Sequence, residues 1–179
     1  MFNDTVAYNI AYGGVKDKTW KALVDDSATD EKRHDELVEN IKPLCERAQI
    51  HDYIMLKSKG YQEKVGERGL KLSGGEKQRV AIARALLKKS KIMCFDEATA
   101  ALDTETERQV QLAIDDVAQD STTLMIAHRL STVRNCDKII ALKHGVIQEQ
   151  GTHDELLAIP GGYYKGLWEK QAESKEAER

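Results

Sequence analysis

Two short apolar runs, Ile92-Met93-Cys94-Phe95 and Thr122 to Ile126, stand on either side of a helical segment from about Thr104 to Gln119. Runs of this length without alternation predict strands buried on both faces of a parallel sheet. Parallel neighbours need a crossover of about a dozen residues or more, which the intervening helix supplies. Strand, helix, strand therefore restricts the chain to an α/β architecture. In such sheets ligands gather outside the carboxyl ends of the strands, and Asp96-Glu97 stands at one such end.

The rest of the pattern is arranged around that unit. Met1 to Ser27 mixes turn formers with aromatics and predicts loop, Gly13-Gly14 breaking its short apolar pattern. Leu37, Ile41, Leu44 and Ala48 recur at helical spacing between Thr29 and Ile50, with Pro43 expected to split or kink the segment. A second helix is predicted over His51 to Ser58, followed by a glycine-punctuated loop into Leu70-Lys71-Leu72. Ser73-Gly74-Gly75-Glu76 has the form of a capping box and opens a helix through Lys88. Lys138 to Leu142 and Val146 to Gln150 predict a hairpin turning at His144-Gly145. A second capping box, Thr152-His153-Asp154-Glu155, opens a short helix stopped by Pro160, and a last helix from about Tyr163 ends in a charged tail expected to fray from Glu173.

Composition narrows the class. The 179 residues suffice for about one domain, and 41% hydrophobic with 32% charged residues suits a folded chain with a wet surface. A net charge of −3 removes the electrostatic support for nucleic-acid binding, so nucleic acid is not expected as a partner. No apolar run approaches the roughly 20 residues that cross a bilayer, and Met1 to Tyr12 lacks the form of a secretory leader. Cys45, Cys94 and Cys136 are scattered and odd in number, which fits structural thiols in a reducing compartment.

Three places carry candidate chemistry, each with a plainer alternative. Asp96-Glu97 can hold a hydrated Mg²⁺ through one carboxylate and orient water through the other, or can simply end a strand. Ser73 and Glu76 satisfy the free donors of a first helical turn in either case. The glycines and the helix dipole would also admit a phosphate there. His128, just past the second strand, can be catalytic or merely packed.

The order of these blocks decides between the alternatives. Leu72-Ser73-Gly74-Gly75-Glu76, then Ile92 to Glu97, then Ala101-Leu102-Asp103, then His128 resembles the signature motif, Walker B motif, D-loop and H-loop of the ATP-binding cassette transporter ATPases. Val65-Gly66-Glu67-Arg68-Gly69 is similar to the X-loop that in exporters touches the membrane domain, and Asn3 to Ile10 to the segment after the family's Q-loop. The latter looks most like mitochondrial and heavy-metal-tolerance half-transporters. The resemblance covers nearly the whole chain and implies an incomplete P-loop NTPase fold: a parallel sheet core, a helical subdomain and a carboxyl-terminal hairpin with helices. On this basis residues 1–89 would form the helical subdomain with X-loop and signature, and residues 90–179 the part with Walker B, D-loop and H-loop.

Two features depart from the family. None of the 12 glycines is followed by lysine, so the Walker A motif, whose lysine reaches the terminal phosphates, is absent from these residues. Val15 to Ser27 is longer than the usual connection at its place.

In the family two domains sandwich two ATP molecules head to tail. The resemblance then implies that Ser73 and Gly75, within the Leu72 to Glu76 motif, contact the γ-phosphate of ATP held by a partner domain. Asp96 would order Mg²⁺ through water, Glu97 would act as general base, His128 would contact the γ-phosphate, and Asp103 would communicate across the dimer. The expected function is the ATP-hydrolysing part of an exporter, on the cytosolic or matrix face of a membrane, with the 179 residues inactive by themselves. The alternative is a non-catalytic domain that binds a partner nucleotide-binding domain through its signature. A soluble relative acting in DNA repair or translation is disfavoured by the X-loop resemblance and the acidic balance.

Overall fold

The computed structural model describes residues 1–14, 16–26, 30–67, 69–97, 102–127 and 129–177, and the chain divides into two compact units, Met1–Leu124 and Met125–Arg179. In the first unit a two-residue strand, β1 (Asp4–Thr5), runs directly into α1 (Val6–Ala11), whose first turn is capped by Thr5 Oγ1 accepting from the Tyr8 N–H. Asn9 is fully buried: its side chain accepts from Phe2 N at 2.8 Å and donates to the carbonyls of Phe2 and Thr5. These bonds fold the amino-terminal segment onto itself, so that loop is not what residues 1–27 form. The expectation fails there because a six-residue helix is too short to show periodicity and is set by its cap and by Asn9. A second helix, α2 (Lys18–Asp26), fills most of the long connection.

Next come α3 (Glu31–Arg47) and α4 (His51–Met55), the first capped by Asp30 accepting from Lys32 and Arg33. Pro43 does not split α3: it lies inside the helix on an exposed face, where water can pair the carbonyl that the missing N–H leaves free. A short strand β2 (Lys64–Val65) pairs antiparallel with β1. The helix α5 (Gly74–Leu87) then packs against α1 and α3, placing Val80, Ile82 and Ala83 in the core. Arg84 Nε donates to the Asn9 carbonyl at 2.8 Å and ties α1 to the far half of α5.

The strand β3 (Ile92–Asp96) leads into α6 (Thr104–Ala118), which returns to β4 (Thr122–Ile126), the neighbour of β3 in a small sheet. A helical crossover of this kind is the connection of a parallel pair. Burial on both faces, expected from the unbroken apolar runs, is not observed. Met93 and Phe95 are buried while Ile92 is 71% and Leu124 57% exposed, so one face packs on the unit and the other is open. Arg47 of α3 holds two carboxylates of the α6 end, Asp116 at 2.5 Å and Asp120 at 2.6 Å.

In the second unit β5 (Ile139–Lys143) and β6 (Val146–Gly151) form the expected antiparallel hairpin. His144 and Gly145 turn it with φ of 52° and 78°, the positive pair that a two-residue hairpin of native twist requires. Thr152 and Glu155 form the second capping box at the start of α7 (His153–Leu157). The last helix, α8 (Tyr163–Ala177), continues past Glu173, and the Glu149 carboxylate accepts from the Tyr163 and Tyr164 N–H groups at its start. Ile139, Ala141, Leu156 and Tyr164 make the core of this unit.

Candidate functional site

The amino end of α5 is built as the sequence suggests. Ser73 is the cap residue: its Oγ accepts from the Glu76 N–H at 3.3 Å, and its own N–H donates to Glu76 Oε2 at 2.7 Å. The first four N–H groups of a helix have no partner within it. Here Glu76 N is satisfied by Ser73 Oγ, and the N–H groups of Gly74 and Gly75 face the positive end of a fourteen-residue helix. Ser73 and Gly74 are exposed, Glu76 is half-buried, and Leu72 anchors the turn in the core.

Packing explains the second glycine. A Cβ on Gly75 would overlap the Thr106 side chain, and one on Gly74 would touch Leu102 Cδ2 at 3.5 Å. Thr106 belongs to the first turn of α6, capped by Asp103, whose side chain accepts from the Thr106 N–H at 3.0 Å. That backbone donor, first among several, holds the Asp103 carboxyl below its ordinary value. The structure thus brings the Ser73 turn and the Asp103 turn into one surface at the amino ends of two helices.

Asp96 and Glu97 are both exposed at the end of β3. Glu97 has a φ of 46°, a left-handed conformation that costs a non-glycine residue of order 1 kcal/mol and clusters at functional sites. Among the described residues no group of three or more His, Cys, Asp or Glu could hold a metal. A single carboxylate with waters and phosphate oxygens is, however, how Mg²⁺ is commonly bound, so Asp96 suits that ion in company with a nucleotide. His128, Ala101 and Arg68 lie outside the described residues.

The X-loop region is tightly constrained. Val65 is fully buried, and Gly66, at φ 111°, leaves no room for a Cβ, which would sit 2.9 Å from Asn3 Cα. Beside it Phe2, Tyr8 and Tyr12 form an aromatic group with Phe2 and Tyr12 centroids 4.4 Å apart, both rings exposed at its edge.

Sequence reasoning missed two polar residues of α5, the buried Arg79 and the half-buried Arg84. Arg79 recurs at helical spacing with Gly75, Ile82 and Leu86, an arginine within a buried stripe, which was a legible signal.

Comparison with known proteins agrees with this geometry. The profile described as "ABC transporter" matches residues 11–100. The heavy metal tolerance protein of Schizosaccharomyces pombe is 49% identical over 175 residues, 98% of this chain and 19% of that protein. An ATP-binding cassette sub-family B member 6 of Xenopus tropicalis is 48% identical over 99% of this chain and 18% of its own length. Among solved structures, a bacterial Atm1-family ABC exporter with ATP bound aligns with a TM-score of 0.72 and 45% identity, covering 96% of this chain and 27% of that one. The chain belongs to the ABC transporter family. It spans about a fifth of the length of the curated relatives it matches.

Proposed function

We propose that these residues are the signature-bearing part of the ATP-binding domain of an ABC exporter. The observation that carries this is the capped amino end of α5, exposed at Ser73 and Gly74 and buried at Gly75, with the N–H groups of both glycines unused by the helix and Asp103 beside it. In the relatives' arrangement that end would complete an ATP site on a second nucleotide-binding domain, paired head to tail. Ser73 and the two glycines would meet the γ-phosphate through donors aligned with the helix dipole. Asp96 would hold Mg²⁺ through water and Glu97 would take a proton from the attacking water. His128 would contact the γ-phosphate, all three serving ATP cradled by a P-loop. The bound Mg²⁺ would neutralise charge on the phosphates.

No helix among the described residues is long and apolar enough to cross a membrane. Attachment to a membrane domain would come through the X-loop and the neighbouring aromatic edge at Phe2 and Tyr12, a rigid apolar surface of the kind used at interfaces. The similarity to heavy-metal-tolerance and Atm1-type exporters supports an organellar setting, with the domain on the cytosolic or matrix face.

The test is turnover. The 179 residues alone are expected to hydrolyse no ATP. Carried in a complete exporter, Glu97→Gln and Ser73→Arg should each lower turnover on the order of 100-fold, as loss of a proton acceptor or an oxyanion donor does. Robust hydrolysis by the isolated chain, or a complete exporter indifferent to both changes, would refute the proposal.

A further inference from the structure

A cleft of about 380 Å³ with mixed walls opens in the first unit between the end of α3, α4, α5 and α6, its polar side made by Glu46, Gln49, Asp52, Arg79 and Gln109 and its apolar side by Leu56 and the Tyr53 ring, with His51 also in the wall. Arg79 is only 6% exposed. Its Nη1 donates to Gln109 Oε1, whereas its Nε is buried with no hydrogen-bond partner. An unmade bond on a buried charged donor is destabilising, so such a group is retained where something else supplies the acceptor. Burial holds the guanidinium below its ordinary value, yet arginine stays charged and must be paired in that form.

The chemistry of the missing acceptor follows from the walls. Glu46 and Asp52 are exposed carboxylates at the rim, so a phosphate or free carboxylate entering the cleft would meet two like charges on its way to one cation. A neutral acceptor, a backbone carbonyl or a hydroxyl, carries no such penalty. Its source is indicated by position. Arg79 lies one helical turn beyond Gly75, and both meet the first turns of α6, Gly75 at Thr106 and Arg79 at Gln109, so the cleft adjoins the surface made by the two capped helix ends. Resting on the head-to-tail pairing proposed above, we infer that a second nucleotide-binding domain seats a neutral acceptor group against Arg79 Nε in this cleft. Arg79 and Gln109 then form a docking contact beside the ATP site. It satisfies a donor that the separate chain leaves unpaired, and so favours the closed pair.

The inference is tested by ATP-dependent association of the 179-residue chain with the complete nucleotide-binding domain of the Atm1-family exporter, measured by analytical ultracentrifugation. Gln109→Ala frees Arg79 from its orienting partner, and Gln49→Trp, at an exposed position, fills the mouth of the cleft while leaving the core untouched. Each is expected to weaken association roughly tenfold, the scale of one buried hydrogen bond to a charged group; Gln49→Trp leaves the thermal midpoint of the chain unchanged, whereas Gln109→Ala, which removes the acceptor of Arg79 Nη1, lowers it. Undiminished affinity in both variants would overturn the inference and leave the pairing intact. Absence of ATP-dependent association in the unaltered chain would instead overturn the pairing itself.

Discussion

At the scale of single residues, the site positions are held by backbone demands that can be measured. Glu97 keeps a left-handed backbone that glycine adopts without strain. Glu97→Gly is therefore expected to raise the stability of the chain by up to about 1 kcal/mol while removing the proton acceptor, a gain visible as a higher thermal midpoint. Gly75 demands the opposite: Gly75→Ala drives a methyl into Thr106 and should cost about 1–3 kcal/mol, checked by urea unfolding. The depressed Asp103 carboxyl has a definite sign. Its folded value is below the unfolded one, so its contribution is present above the ordinary carboxylate range and lost as pH falls through the folded value. Asp103→Asn keeps the cap and should flatten that part of the acid unfolding profile below about pH 4. Cys45 is buried, and burial pushes its thiol up to about 12, while Cys94 is exposed. A thiol reagent at pH 8 should label Cys94 and spare Cys45 in the folded chain.

At the scale of elements, what was legible in the sequence is what local chemistry decides. Ser73 with Glu76, and Thr152 with Glu155, announce their helices because each box closes on itself within four residues. His144-Gly145 announces its hairpin for the same reason. The amino-terminal α1 was illegible because Asn9 and Arg84, 75 positions apart, fix it together. The burial of Arg79 was legible from its place in the stripe with Gly75, Ile82 and Leu86, but its unpaired Nε was not, because the surroundings are assembled from several helices. The open face of β3 and β4 does not follow from run length, which records what a strand can bury and not what covers it, but it does follow from the family resemblance, in which the strands that cover Ile92 to Phe95 are not among these residues. Its energetic consequence is an asymmetry within one strand. Phe95→Ala should cost about 3–5 kcal/mol, whereas Ile92→Thr should fall within about 0.5 kcal/mol, compared by thermal unfolding of the two variants.

At the scale of the whole molecule, the motifs divide by the partner they need. The Ser73 and Asp103 turns form one surface, joined where Gly75 meets Thr106, and on the proposed function it would act on ATP bound by another domain. Asp96 and Glu97 stand at the end of β3 and would, on the same proposal, serve ATP held in a P-loop. On the proposed function, family membership would account for both, and Val65 and Gly66 with the aromatic edge of Phe2 and Tyr12 would receive the membrane domain. The most direct measurement of the central claim is ATP turnover by a complete nucleotide-binding domain of this family whose own signature serine has been replaced. Adding the 179-residue chain should restore hydrolysis, and adding its Ser73→Arg variant should not. Equal stimulation by both chains, or by neither, would contradict the assignment of the α5 amino end as the half-site that completes a partner's nucleotide.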